Sequence, residues 1–395
     1  MTAPVPMKLR KALERTLKAG HPWVYRDALE RPEQLEAGAE VVIHDRRGRP
    51  FARGIADGGD AIGVRIWRLR DAPLDAELVE RRLRRALGLR AALRPPETTA
   101  LRLVHGEGDG CPGFVIDEYG LESGERIAVL RLDGEGAARF YERVQDTVRD
   151  LLRDQGFTGL LERRDRRSGQ GPVLGFGEVP RGRVRVREHG MTLVGDLWEG
   201  QKTGLFLDHR ESRRRVRELA RGRRVLNLYS YTGGFSVGAG LGGASVVTSV
   251  DIAPEAIALA DATWEANGLD PARHRGLAED ARDFLRIDKE RYELVVSDPP
   301  SFAPRESALE SAIAAYEGLH AQCLDRLVPG GMLLAASCSS HVDANTFHDT
   351  LAKASAATGR RVQILERTGA PFDHPRLAGF PEGDYLKVVV ARVLD

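Results

Sequence analysis

Val225-Leu226-Asn227-Leu228-Tyr229-Ser230-Tyr231-Thr232-Gly233-Gly234-Phe235-Ser236-Val237 decides how the rest of the chain is read. Val225, Leu226 and Leu228 form an apolar run of the kind a buried strand needs. Residues 230–234 make a small, glycine-bearing turn, and Phe235, Val237, Ala239 and Leu241 open a helix. Strand, tight glycine turn and helix together build a nucleotide-type cradle. Glycine lets the backbone approach a ligand, and the helix N-terminus offers free N–H groups. The next strand, 244–250, runs into Asp251. That acid follows the turn by about twenty residues, where a doubly wound sheet sets a carboxylate on a ribose hydroxyl. A glycine turn before a helix also occurs in α/β domains that bind no nucleotide, and the downstream motifs separate the two readings.

The chain has 395 residues, enough for two or three domains. Hydrophobic residues make up 42% and charged residues 30%, a globular composition. A net charge of +1 implies no polyanion partner by itself. Seven of the 59 basic residues are lysine, which leaves 52 arginines, and these cluster at 81–94, 163–167, 181–187 and 210–224. Guanidinium pairs bidentately with phosphate, so the clusters suit nucleic acid; an arginine-rich solvated face reads the same way. Cys111, Cys323 and Cys338 are odd in number and widely spaced. They suggest neither a disulfide framework nor a zinc site, and no metal is expected. Residues 1–6 lack a signal peptide's apolar core, and no apolar run is long enough to span a bilayer. The expected compartment is the cytoplasm, with no membrane partner.

Residues 1–70 read as a small β-rich module, with strands at 37–45, 51–56 and 62–67 around a turn at 46–50. Basic residues at 8–18 precede the aromatics Trp23 and Tyr25, which can either stack on single-stranded RNA or fill the module's core. Residues 71–190 read as an α+β region: a helix at 75–93, strands near 101–104, 114–117 and 127–132, and a helix at 136–155. The glycine-rich turn 106–113 reads as a hairpin, Cys111 as structural, and 183–187 as an exposed edge strand. From 191 strands alternate with helices, which argues a parallel sheet. Strands end near Leu228, Asp251, residues 275–278, Asp298 and Ser337, and two more follow at 361–365 and 386–393.

Four further stretches carry chemistry. Residues 200–210 (Gly-Gln-Lys-Thr-Gly-Leu-Phe-Leu-Asp-His-Arg) are polar and glycine-punctuated, suited to a lid over a bound cofactor or to a connecting hairpin. Asp280 follows the third strand, placed either to accept from an adenine amine or to cap the next helix. Residues 292–302 run four strand residues into Ser297-Asp298-Pro299-Pro300-Ser301-Phe302. The prolines stiffen the turn and fix the acid towards a cleft. Residues 330–341 form a strand ending on Ser337-Cys338-Ser339. A thiol there is a small buried cap or, beside Asp298 at a neighbouring strand end, a nucleophile. Cys323 shares a helix with Leu319, Leu324 and Leu327 and reads as core.

These residues carry a resemblance. Residues 20–25 (Gly-His-Pro-Trp-Val-Tyr), 53–56 and 62–67 resemble a PUA domain, a small RNA-binding β-barrel. Five α/β units followed by two strands resemble the seven-stranded, Rossmann-like sheet of class I methyltransferases. Asp298-Pro299-Pro300 resembles motif IV of adenosylmethionine-dependent enzymes acting on nucleobases. With Lys202-Thr203-Gly204, Leu207-Asp208-His209-Arg210, Tyr231-Thr232-Gly233-Gly234-Phe235, Ser337-Cys338-Ser339, Asp373-His374-Pro375 and Pro381-Glu382-Gly383, the chain looks like the ribosomal RNA large-subunit methyltransferase I type. That family forms 5-methylcytosine in 23S rRNA. The resemblance implies a PUA-like domain over 1–70, an α+β middle domain over 71–190 and an S-adenosyl-L-methionine-dependent methyltransferase domain over 191–395.

The implied nucleophile is Cys338; addition of a thiolate at carbon 6 needs a proton or hydrogen bond at the base's N3, for which Asp298 is the candidate. The implied cofactor contacts are Tyr231, Thr232, Gly233, Gly234, Phe235, Asp251, Asp280 and Asp298. Around them the cofactor set takes in Lys202, Phe206, Asp208 and Arg210 from the lid stretch, then Asn227, Tyr229, Ile252, Ala281 and Pro299. Many RNA cytosine-5 methyltransferases carry a second cysteine directly after the motif IV proline; this chain has Pro300, then Ser301. The expected partner is 23S rRNA or a large-subunit assembly intermediate, and edge strands in the first two domains offer a route to a homodimer. Two other readings stand: direct N-methylation of a purine or exocyclic amine, in which Cys338 is structural, and a noncatalytic RNA-binding assembly factor.

Overall fold

A computed structural model describes residues 3–59, 61–164, 169, 171–303 and 305–395. Met1, Thr2 and, from the second arginine cluster, Arg166 and Arg167 lie outside the described residues. The chain divides into two compact units. The first holds residues 1–184, 196–205 and 372–383; the second holds 185–195, 206–371 and 384–395.

The first unit contains two five-stranded sheets. Strands β1 (Val5–Lys8), β2 (Trp23–Tyr25), β3 (Glu40–His44), β4 (Pro50–Ala56) and β5 (Ile62–Arg68), with the short helix α1 (Glu14–Lys18), form a sheet of order β1-β3-β4-β5-β2. Helix α2 (Ala76–Leu93) starts where the Asp75 side chain accepts from the Leu78 N–H. Strands β6 (Ala100–His105), β7 (Phe114–Gly120) and β8 (Arg126–Leu132), helix α3 (Glu135–Asp154), then β9 (Gly159–Arg163) and β10 (Val173–Gly177) complete the second sheet, in order β10-β9-β8-β7-β6. Trp67, Phe114, Phe140 and Tyr141 sit in its core with the apolar faces of α2 and α3.

Two late motifs fold into this unit. The fully buried Arg90 grips both carboxylate oxygens of Asp109 at 2.7 Å and donates to the Asp373 carbonyl. Glu382 accepts from the Tyr25 hydroxyl, and the Phe380 ring lies edge-on to Trp23 at 4.6 Å. Trp23 also donates to Glu107. Both aromatics are therefore half-buried and engaged by this chain itself, which favours the packing reading over free stacking platforms.

Strands β11 (Arg183–Glu188) and β12 (Met191–Asp196), which belong to the second unit over 185–195, form a two-stranded sheet, in which 184, 186 and 188 are buried and the arginines between them exposed. Then come α4 (Arg210–Leu219), β13 (Arg224–Leu228), α5 (Gly234–Leu241), β14 (Val246–Asp251), α6 (Pro254–Ala266), β15 (His274–Ala278), α7 (Ala281–Ile287), β16 (Tyr292–Ser297), α8 (Leu309–Arg326), β17 (Leu327–Ser337), α9 (Ala344–Thr358), β18 (Val362–Thr368) and β19 (Lys387–Val393). The seven-stranded sheet has the order β15-β14-β13-β16-β17-β19-β18. The first five strands run parallel and β19 pairs antiparallel with both neighbours.

The apolar runs explain the layering. Side chains alternate across a strand, so a strand buried on both faces is apolar throughout. Leu226, Leu228, Val295, Leu333, Ala335, Val389 and Ala391 pack with α7, α8 and α9. Their neighbours Val225, Leu294, Val296, Leu334, Ala336, Val388 and Val390 pack on the other face with α4, α5 and α6. Cys323 is buried in the first of these cores and Cys111 in the first unit, and burial pushes both thiols up to about 12.

His320, on α8, is fully buried beside Thr350 of α9, and burial pushes its pKa down to about 4. The unfolded chain therefore binds a proton between about pH 6.5 and 4 that the folded chain refuses, so stability falls as pH drops through that window. Urea denaturation is expected to show a loss on the order of 3 kcal/mol from this site between pH 7 and pH 4. His320→Leu flattens that part of the profile; an unchanged slope would contradict the assignment.

Candidate active site

Parallel register brings the chemistry to one edge of the sheet. Leu228 is level with Val250 and with Ser297, Asp251 with Ala278, and Ser297 with Ala335. The residues that follow, Tyr229, Ile252, Asp280, Asp298 and Cys338, leave the same carboxyl edge, where ligands bind in open α/β sheets. β19 runs the other way, so its first residue, Lys387, faces Ser337 at that edge.

The glycine turn is held from several sides. Tyr229 and Tyr231 adopt left-handed backbone, with φ of 56° and 44°. Such strain persists only where the surroundings enforce it. Here Asp251 accepts the Tyr231 N–H at 2.9 Å with one oxygen and the Ala253 N–H at 3.0 Å with the other. The Tyr231 ring meets Phe206 edge-on at 5.1 Å. Gly233, with φ of 74°, caps α5, and a Cβ there would fall 2.7 Å from the Ala260 Cβ. At Gly234 the space is taken by Arg213, whose guanidinium forks onto the buried Glu188 and reaches the Phe206 carbonyl. The two glycines thus admit a neighbouring helix and an arginine, in addition to any ligand.

The other residues expected to contact the cofactor separate into edge and interior. Ile252 is 71% exposed, an apolar cover next to Asp251, and Asp280 is exposed on the adjoining strand end. Asp280 does cap α7, accepting from the Arg282 and Asp283 N–H groups through one oxygen. The exposed Ile252 side chain, with Asp251 before it and Asp280 on the adjoining strand end, could serve an adenosyl group and its ribose. Asn227 and Ala281 are buried. The Asn227 amide starts a polar chain inside the domain: it donates to Ser236, which bonds Ser249, which meets His274. From the lid stretch Asp208 accepts from the Tyr385 hydroxyl at 2.9 Å, and the fully buried Arg210 lies beside Glu211. Thr232 in the turn and Phe235 in the first turn of α5 are buried, and Pro299 is buried while Pro300 is exposed. Lys202 belongs to the first unit, where its backbone is left-handed and its carbonyl accepts from Arg163.

The motif IV loop and the thiol loop are tied together. Ser301 bonds Ser339 at 3.0 Å, and the Tyr316 hydroxyl reaches Ser337 at 2.9 Å and Ser339 at 3.0 Å. Cys338 stands between those two serines and is half-buried, unlike the other cysteines. Burial raises the Tyr316 phenol, and Cys338 and Asp298 push it the same way, so both lie within its electrostatic reach. Lys387 is 4% exposed and donates to the Ser339 and Tyr385 carbonyls. Burial pushes its pKa down to about 8, opposed by Cys338. Asp298 pairs with His209 Nε2 at 3.2 Å, and the buried His209 ring stacks edge-on to Phe235 at 5.4 Å. His209, Tyr316 and Lys387 are the site residues that sequence reading missed. Only His209 had a local signal, its place in the Leu207-Asp208-His209-Arg210 stretch.

Gly233→Ala forces a side chain into left-handed backbone and onto Ala260. Urea unfolding of the second unit is expected to lose about 2–4 kcal/mol. Retained stability would contradict the packing role.

Comparison with known proteins agrees with this architecture. Residues 147–385 match the family model for S-adenosylmethionine-dependent methyltransferases, and residues 7–68 match a PUA-like domain. The chain is 36% identical to the ribosomal RNA large subunit methyltransferase I of Klebsiella pneumoniae subsp. pneumoniae, over 98% of each chain. It is 34% identical to the protein of the same name from Serratia proteamaculans, over 99% of this chain and 100% of that one. Among solved structures, a SAM-dependent methyltransferase from Streptococcus mutans has a TM-score of 0.87 at 24% identity, over 98% of this chain and 100% of that one. A methyltransferase complexed with SAH has a TM-score of 0.86 at 23% identity, over 99% of this chain and 100% of that one; both show the shared fold. On sequence and sheet order, the chain belongs to the S-adenosylmethionine-dependent methyltransferases, in the ribosomal RNA large subunit methyltransferase I family.

Proposed function

We propose that this methyltransferase acts in the cytoplasm on 23S rRNA, free or in an assembling large subunit, and methylates a cytosine at carbon 5 through a covalent adduct with Cys338. The observation that carries the reading is the half-exposed Cys338 on the same sheet edge as Asp298, with the buried Lys387 fastened to the next residue's carbonyl. The domain division 1–70, 71–190 and 191–395 belongs to the same reading.

Carbon 5 of cytosine is a weak nucleophile. The Cys338 thiolate adds to carbon 6, forming the S–C6 bond and moving the ring's electrons towards N3. Asp298, held by His209, donates to N3 in its protonated form as that charge develops, and takes the proton back when the adduct collapses. S-adenosylmethionine, when bound over the Tyr231–Gly234 turn, supplies the electrophilic methyl group that carbon 5 takes. Carbon 5 then loses its proton to a base, and the S–C6 bond breaks to release the thiolate. Lys387 gives the thiolate a neighbouring cation at neutral pH. The ring is reached only outside a base stack, in a loop or by flipping.

The test is methyl transfer from labelled S-adenosylmethionine to unmodified 23S rRNA, with nucleoside analysis of the product. Wild type is expected to make 5-methylcytosine, and Cys338→Ala to lose more than about a thousandfold, as removal of a nucleophile does. A methylated purine, or an active Cys338→Ala variant, would mean direct transfer with a structural Cys338.

The ammonium of Lys387 is lost as pH rises through about 8, so its contribution is greatest below that pH. Lys387→Gln is expected to lower kcat about tenfold at pH 7 and to recover activity at higher pH, where the thiol ionises unaided. A variant whose pH profile matches the wild type's would remove Lys387 from the mechanism.

A further inference from the structure

The first unit carries an arginine-walled groove of roughly 490 Å³ between the end of β5 and one face of α2. Arg68, Arg70, Arg81, Arg82 and Arg85 line it, with Leu78 as part of its floor. Two of these guanidiniums are fixed in place. Arg82 donates to the Trp67 and Gly110 carbonyls and lies over the Trp67 ring at 5.4 Å, and Arg85 donates to the Asp109 carbonyl at 2.9 Å. Carbonyl partners leave their charges uncancelled.

The other three have donors to spare. The Arg68 side chain is nine-tenths buried, yet its Nε has no hydrogen-bond partner among the described residues, and Asp75 approaches only to 3.5 Å. A buried unpaired donor is costly unless something meets it. Arg70 is exposed and forms no ion pair among the described residues. Arg81 holds Glu77 at 3.1 Å in a pair exposed on both sides, which solvent renders weak. Among the described residues, two carboxylates, Asp75 and Glu77, pair with these five guanidiniums. Burial pushes Arg82 down to about 10, and its neighbours Arg85, Arg68 and Arg81 push the same way. An anion in the groove relieves that repulsion.

We propose that this groove is a docking site for the phosphate backbone of the RNA substrate, with Arg68, Arg70 and Arg81 as the phosphate-binding side chains and Arg82 and Arg85 as fixed charges behind them. It rests on the rRNA reading above and adds a place to it. Planar guanidiniums fork onto phosphate oxygens, and a row of them along a strand end and a helix face tracks a backbone without reading its sequence.

The experiment is fluorescence anisotropy of a labelled 23S rRNA fragment with the full chain across a salt series. Arg70→Gln/Arg81→Gln changes two exposed residues and keeps the fold, which unchanged binding of SAH by calorimetry would verify; a second variant adds Arg68→Gln. The double variant is expected to bind about tenfold more weakly near 0.1 M salt, with the slope of log K against log salt reduced by about two. The triple variant weakens further. Equal affinity and equal slope in wild type and variants would overturn the groove, as would a wild type that does not bind the RNA. Methyl transfer by the wild type, run alongside, separates the two proposals. Transfer to rRNA with unaltered variants leaves the enzymatic reading and removes the groove; weakened variants without any transfer do the reverse.

Discussion

The site depends on one constraint: a parallel sheet whose central strands β13, β14, β16 and β17 are fixed in hydrogen-bond register by burial on both faces. A one-residue slip would send every side chain to the opposite layer. Leu226 and Leu228 would then leave α7–α9 for α4–α6, and so would their counterparts on β16 and β17. With the register locked, the residues just past each strand arrive at the same edge. Asp251, Asp280, Asp298 and Cys338 come from four strands far apart in sequence, and only the ladder brings them together.

The loops at that edge are held by polar anchors, each of which serves two loops at once. Asp251 fixes both the glycine turn and the start of α6. Ser339 joins the thiol loop to the motif IV loop, and Tyr316 braces it from the helix layer. Arg213 links β11 to the segment ahead of α4 while occupying the space that Gly234 leaves. Two tyrosines in left-handed backbone within three residues show how tightly the turn is specified. Preorganisation of this kind lowers the cost of assembling a reacting geometry.

Much of this was legible in the sequence because strands buried on both faces leave continuous apolar runs, and because tight turns demand glycine and proline. Residues 225–237 and 292–302 gave the sheet and its two defining loops on those grounds. What local pattern could not supply was long-range partnership. Lys387 looks like the polar start of a strand until β19 pairs antiparallel with β17 and sets it beside Ser337. Trp23 and Tyr25 read as candidate stacking surfaces because their partners, Phe380 and Glu382, lie at the other end of the chain. Asn227 sits in the quoted stretch yet faces the interior, since strand alternation sends it to the α5 side.

The central claim is that Cys338 bonds to the substrate ring. It is tested most directly with 23S rRNA carrying 5-fluorocytidine, in which carbon 5 cannot shed a proton and the adduct cannot resolve. Wild type with S-adenosylmethionine is expected to form a complex that survives denaturing electrophoresis, with the RNA attached to the peptide containing Cys338. Wild type that leaves no denaturant-resistant complex while methylating ordinary rRNA, or a complex joined through another residue, would contradict the account.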